Sequence, residues 1–150
     1  MGSFANPLLI PSSFAQCVGV CLIAFKTIFG VPEHNHDGDT LTLRTPNGVT
    51  NIRLHGIDAP ELSEAYGVQS QEYLRTITAG QKLRCEPVGA HTSYTRIVAR
   101  CFLEDGREIN QLMVEGGLAL DCKRYSHGYY AKFEQSWARK RLIQKGYCHE

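Results

Sequence analysis

Residues 37–61 read DGDTLTLRTPNGVTNIRLHGIDAPE. Residues 39–45 alternate polar and apolar side chains, the period of a strand with one face buried. Pro46-Asn47-Gly48 follows as a turn, because Asn-Gly favours the positive φ that a tight hairpin requires. A second arm then runs from Val49 to Ile57, with Ile52, Leu54 and Gly56 on one face. Pro60 stops that arm and redirects the chain, so Asp58 and Glu61 stand at a strand end.

Outward from this hairpin the period changes. Tyr66, Ser70, Tyr73, Leu74 and Ile77 share one face of a helix, with Gly80 as its stop. Lys82–Val88 and Thr95–Leu103 read as two more strands. Glu108–Val114 is a short helix ended by Gly116-Gly117, and Leu118–Leu120 is a brief apolar run. A last helix is expected from Ser126 to Lys145, stopped by Gly146, with Tyr130, Phe133, Trp137 and Leu142 inward. Upstream, the end of the apolar run Cys17–Phe25 leads into a first strand. Five short strands with a helix after the third predict an α+β fold, mainly a β-barrel. The architecture expected is a five-stranded Greek-key barrel of the OB type with three helices, a fold that commonly binds nucleic-acid strands.

The 150 residues suit one domain able to bury a core. Residues 1–20 read as an N-terminal tail or a signal or anchor remnant, and residues 21–150 as the domain. At 43% hydrophobic and 21% charged, the composition argues against disorder. A net charge of +1 is a weak footprint for a nucleic-acid partner. The local balance says more. Glu33, Asp37, Asp39, Asp58 and Glu61 make the stretch 33–61 acidic, against Arg44 and Arg53. Lys123, Arg124, Lys132, Arg139, Lys140, Arg141 and Lys145 make 123–145 basic, against Glu134 alone. Such a run serves equally as a solvated face or a phosphate-facing one.

Cys17, Cys21, Cys85, Cys101, Cys122 and Cys148 show no CxxC spacing, which argues against a zinc site. Cys85 and Cys101 lie in apolar, strand-like runs, where they are either a bridge or two buried thiols. A bridge would imply an oxidising compartment. Cys122 and Cys148 have each other, Cys17 or Cys21 as possible partners. The run Cys17–Phe25 is too short to span a bilayer, and no basic residue precedes the apolar stretch as in an intact signal peptide.

Two segments carry candidate chemistry. In His36-Asp37-Gly38-Asp39-Thr40, carboxylates two apart flank a glycine. Taken alone that is a turn leading into a strand. Arg53, Asp58 and Glu61 near a barrel rim can also be a plain salt-bridge cluster. Their combination is more specific. DGDT at 37–40 and IRLHGIDAPE at 52–61, twelve residues apart, resemble the staphylococcal nuclease-like (thermonuclease) family. Tyr94-Thr95-Arg96 with Val98–Cys101 is similar to that family's Tyr-Gly-Arg strand. Ile109-Asn110 and Met113–Ala119 resemble its second helix and following turn. Tyr125-Ser126, Tyr130, Glu134 and Ala138-Arg139 resemble its last helix. The resemblance covers roughly residues 22–147.

The resemblance implies a Ca²⁺-dependent nuclease that hydrolyses phosphodiester bonds of DNA or RNA, breaking P–O5′ and leaving 3′-phosphates. Asp39 and Asp58 would bind one Ca²⁺, with the backbone carbonyl of Ala59 as a further ligand. Glu61 would activate the attacking water, and Arg53 and Arg96 would hold the scissile phosphate. Tyr94, Lys123 and Arg124 would contact substrate. The expected protein is secreted or periplasmic and monomeric, with no organic cofactor and no stable membrane span. Hard oxygen ligands suit Ca²⁺, and planar guanidinium forks match phosphate oxygens. The alternative is a non-catalytic oligonucleotide-binding barrel. The chain departs from the family pattern at Thr95, in place of glycine, and at Cys122, in place of a tyrosine walling the nucleotide pocket. His34 and His36 replace an apolar approach, and the terminal Gly-x-Trp reads Gly146-Tyr147-Cys148. These changes leave the metal and arginine set in place and bear on substrate grip.

Overall fold

The alternating stretch forms two arms of an antiparallel hairpin. β2 (Thr40–Thr45) pairs with β3 (Gly48–Leu54), with Leu41 opposite Ile52 and Thr40 opposite Arg53. Gly48 has φ 115°, the backbone state that the turn needs and that glycine adopts without a Cβ clash. Thr40 to Leu43 are all buried, so β2 is covered on both faces rather than half-buried. The hydroxyls that would otherwise forbid this are bonded, Thr40 to Asp39 and Thr42 to Asn51. These features come from a computed structural model that describes residues 26–93 and 95–149. The tail or leader expected over residues 1–20, the run Cys17–Phe25, Cys17, Cys21 and Tyr94 lie outside the described residues.

β1 (Ile28–Asn35) flanks the hairpin on one side and pairs with β2, with an irregularity between Pro32 and His34. β6 (Arg96–Phe102) flanks it on the other, parallel to β3. β5 (Leu83–Ser93) joins β6 back to β1, closing a barrel in the order β1-β2-β3-β6-β5. Closure leaves these strands no unpaired edge. Leu41, Leu43, Ile52, Leu54, Leu83 and Ala99 fill the interior with Leu74 of α1 (Gly67–Thr78) and Met113 of α2 (Ile109–Glu115). The expected α+β barrel of OB type is the observed fold.

Two expectations need correction. The second arm ends at Leu54, not Ile57. Gly56 takes φ 73° and its carbonyl accepts the Cys122 N–H, so the chain turns. It then forms a separate two-stranded pairing between β4 (Ile57–Asp58) and β7 (Leu120–Asp121). Asn110 pins the turn, donating to the His55 and Ala99 carbonyls and accepting the Cys101 N–H. The single helix expected over 126–145 is instead α3 (Lys123–Ser126), a 3₁₀ turn (Ala131–Phe133) and α4 (Ser136–Arg141). His127 is left-handed at φ 53° and Gly128 at φ 82°, which ends the helix. Buried Asp121 then draws in both the Ser126 hydroxyl and the Tyr130 N–H. With the helix broken, Tyr130 and Leu142 are buried, whereas Trp137 is 39% exposed. The Trp137 ring lies across Gly117, where a Cβ would come within 2.3 Å of it.

Disulfides join Cys85 to Cys101 across the β5–β6 ladder and Cys122 to Cys148. The second anchors a 3₁₀ turn (Gly146–Cys148) to the start of α3. Among the described residues, no helix is long and apolar enough to cross a membrane.

Candidate active site

Asp39 enters from the loop before β2. Its N–H donates to the Asp37 carboxylate at 2.9 Å, an Asx-type turn that suits the Asp-Gly-Asp sequence. Gly38 in that loop lies against α1, where a Cβ would come within 1.7 Å of Ser70 Oγ. The Asp39 carboxylate is buried, and it is bound from three directions. Oδ2 accepts the Ala59 N–H at 2.8 Å and meets Arg53 Nη2 at 3.0 Å. Oδ1 accepts the Thr40 hydroxyl at 3.2 Å. Arg96, at the start of β6, donates from Nη1 to Thr40 Oγ1 at 3.2 Å. Thr40 therefore links Arg96 to Asp39. Thr95, ahead of Arg96, is not among the residues with positive φ.

Arg53 is held rigidly. It donates to the Leu54 carbonyl at 2.8 Å and the Ile57 carbonyl at 3.0 Å, bracing the turn between β3 and β4. Burial opposes its charge, but Asp39, Tyr147 and Asp58 outweigh that and leave its pKa above the ordinary value. Asp58, 3% exposed on β4, accepts the Lys145 N–H at 3.0 Å. Arg53 and Tyr147 each feel both Asp39 and Asp58, so the two carboxylates face one site.

The electrostatics are those of an under-neutralised acidic centre. Burial pushes Asp39 up to about 7, against the pull of Arg53, and Asp37 pushes it further. Burial also raises Asp58, against the Lys145 N–H and ammonium. Asp37, Asp39, Asp58, Glu61 and Glu64 outnumber Arg53, Arg96 and Lys145 here. Asp39 spends three of roughly four lone-pair sites on internal partners. These are hard oxygen donors with charge to spare, which fits a cation such as Ca²⁺. Among the described residues, no group of three or more His, Cys, Asp or Glu is placed to hold a metal. A cation here would take Asp39 and Asp58, with backbone, water or substrate completing its shell.

Glu61 is exposed, just past Pro60. Its N–H donates to the Glu64 carboxylate at 2.8 Å, and its own carboxylate lies 3.6 Å from Lys145 Nζ. Gly67 seals this turn against α1, since a Cβ there would come within 1.9 Å of the Glu61 carbonyl oxygen. Lys123 and Arg124 are exposed on α3, immediately after Cys122. Arg124 lies over the Tyr125 ring, which in turn meets Tyr147 edge-on.

The site thus brings together Asp39, Arg53, Asp58, Ala59, Glu61 and Arg96, with Arg124 over the Tyr125 ring and Lys123 exposed on the same helix. Sequence reasoning missed Glu64, Lys145 and Tyr147. Burial and the Asp58 charge raise the Tyr147 hydroxyl, while Arg53 pulls it down. The signal for Lys145 and Tyr147 was the Cys122/Cys148 pair. The disulfide from Cys122 to Cys148 brings the adjacent Tyr147 beside Arg53.

A barrel with a rim of carboxylates and arginines defines a class of proteins, and comparison with known sequences identifies it. The staphylococcal nuclease homologue family model matches residues 51–147, and this chain belongs to that family. The chain is 32% identical over 90 residues to an Escherichia coli protein described as an uncharacterized endonuclease, covering 60% of this chain and 58% of that one. A Haemophilus influenzae protein with the same description is 38% identical over 92 residues, covering 61% of this chain and 51% of its own. Endonuclease YhcR of Bacillus subtilis is 29% identical over 139 residues, covering 81% of this chain and 11% of that one. The chain therefore spans little more than half the length of the first two relatives.

Proposed function

We propose that this chain is a Ca²⁺-dependent nuclease that hydrolyses phosphodiester bonds of DNA or RNA, releasing 3′-phosphates by P–O5′ cleavage. The observation that carries the reading is the convergence on Asp39 of Arg53 directly and Arg96 through Thr40. Family membership and the endonuclease descriptions of the relatives support the same class of activity.

In this reading Asp39, Asp58 and the Ala59 carbonyl would hold the cation, and its chemistry there would be that of a Lewis acid beside the scissile phosphate. Arg53 and Arg96 hold phosphate oxygens in fixed positions and stabilise the charge that grows as water attacks phosphorus. Glu61, exposed and hydrogen-bonded into its turn, takes the proton from that water. The departing O5′ takes a proton from solvent as its bond to phosphorus breaks. Tyr94, Lys123 and Arg124 contact the substrate strand, where the basic groups add affinity by displacing counterions. The two disulfides favour a secreted or periplasmic setting.

The test is digestion of single-stranded DNA, duplex DNA and RNA in Ca²⁺ and in chelator, wild type beside Glu61→Gln. Glu61→Gln is expected to lose roughly 100-fold or more of kcat, within the range for a proton-transfer group. Equal digestion under chelator overturns the metal role. Tight binding with no turnover in Ca²⁺ favours a non-catalytic oligonucleotide-binding barrel.

A further inference from the structure

Lys145 stands outside every motif that marks the site, yet it touches three of its carboxylates. Its N–H donates to Asp58 Oδ2 at 3.0 Å. Its ammonium lies 3.2 Å from Glu64 Oε2 and 3.6 Å from Glu61 Oε1. Glu64 in turn accepts the Glu61 N–H, and the Glu64 N–H returns to the Glu61 carbonyl. One cation therefore ties together both carboxylates of the turn that presents Glu61. The next residues explain how a lysine from a different part of the chain comes to be there. The Lys145 carbonyl accepts the Cys148 N–H, closing the 3₁₀ turn, and Cys148 is bonded to Cys122 with Cα atoms 4.6 Å apart. Lys145 is only a quarter exposed, so its ammonium has few alternative directions.

We propose that Lys145 is a positioning residue for Glu61, fixed in register by the Cys122–Cys148 disulfide. This rests on the nuclease reading. Lys145 orients the Glu61 carboxylate through the Glu61–Glu64 turn and takes no proton itself. Its loss lowers turnover rather than substrate affinity, because a displaced proton acceptor still leaves the phosphate contacts of Arg53 and Arg96 intact.

The experiment measures kcat and KM on a fluorogenic single-stranded oligonucleotide, and binding of the same oligonucleotide in chelator. The variants are Lys145→Met, Lys145→Arg, Cys122→Ala/Cys148→Ala, and that pair combined with Lys145→Met. Lys140→Met, an exposed cation on α4, controls for lost charge. Thermal melts confirm that each variant is folded at the assay temperature. Lys145→Met is expected to lower kcat about 10- to 100-fold with KM and chelator binding nearly unchanged. Lys145→Arg keeps the cation and stays within about fivefold of wild type. The double-cysteine variant lowers kcat, and adding Lys145→Met to it lowers kcat little further, the non-additivity of one shared function. Unchanged kcat in Lys145→Met overturns the proposal, as does a loss confined to KM and binding. A cysteine pair that leaves kcat intact overturns the anchoring role. If wild type cleaves in Ca²⁺ and Glu61→Gln does not, such results refute the Lys145 inference alone. A wild type that cleaves nothing refutes the nuclease reading along with it.

Discussion

His55, where β3 gives way to the turn before β4, sits in surroundings hostile to its charge. Burial lowers its pKa first and the Arg100 guanidinium lowers it further, outweighing Glu108. The sign of the effect follows from linkage. A histidine depressed in the folded state favours folding fully above its ordinary pKa, and that contribution is lost as pH falls through the depressed value. His55→Gln removes this dependence. Its melting temperature is expected to fall less than that of wild type between pH 7 and pH 5, in chelator, and an identical fall in both refutes the assignment. At this scale the sequence was partly legible. Asp39, Arg53, Asp58 and Glu61 stood out as candidates because they lie in two short ordered segments. Lys145 was counted only as one cation of a basic run, because its role depends on a partner at Asp58 that lies 87 positions away.

At the scale of elements, the two disulfides do different things. Cys85 and Cys101 face each other across β5 and β6, inside the core. Cys101 lies five residues beyond Arg96, roughly 17 Å along an extended strand. Removing this bond with Cys85→Ala/Cys101→Ala is expected to cost about 3 kcal/mol by chain entropy. That cost reads out as a lower denaturant midpoint. Turnover at temperatures where the variant is folded should stay within about twofold of wild type, because the change acts on stability alone. A large fall in kcat in the folded variant would contradict that separation. The hairpin, α1 and α2 were legible because their periods are local and punctuated by Gly48, Gly80 and Gly116. The segment after Ser126 was not. Its apolar residues keep a helical spacing, but His127, Gly128 and the acceptor at Asp121 break it. Only tertiary context reveals that Asp121 is buried and draws Tyr130 inward.

For the molecule as a whole, an acidic centre with too few internal cations is a store of unfavourable charge that a bound cation would relieve. Ca²⁺ binding only the folded state stabilises it by mass action, about 2.7 kcal/mol at a hundred times Kd. For a domain of this size that corresponds to roughly 5–10 °C in Tm. The expected result is a Ca²⁺-dependent rise in Tm that Asp39→Asn abolishes, and a variant with the wild-type shift would exclude Asp39 as a ligand. The barrel itself was legible from the order of strands and helices, but its closure through β1 and β5 was not, since no local pattern says which strands meet. The long reach between Asp58 and Lys145 has a consequence in time as well as in space. During synthesis Asp39, Arg53, Asp58 and Glu61 leave the ribosome well before Lys145 does. With Lys145 as the residue that sets Glu61, the chain carries an unfinished site until Cys122 and Cys148 have joined. On that reading, reducing the Cys122–Cys148 bond in the finished protein would lower turnover without unfolding the barrel.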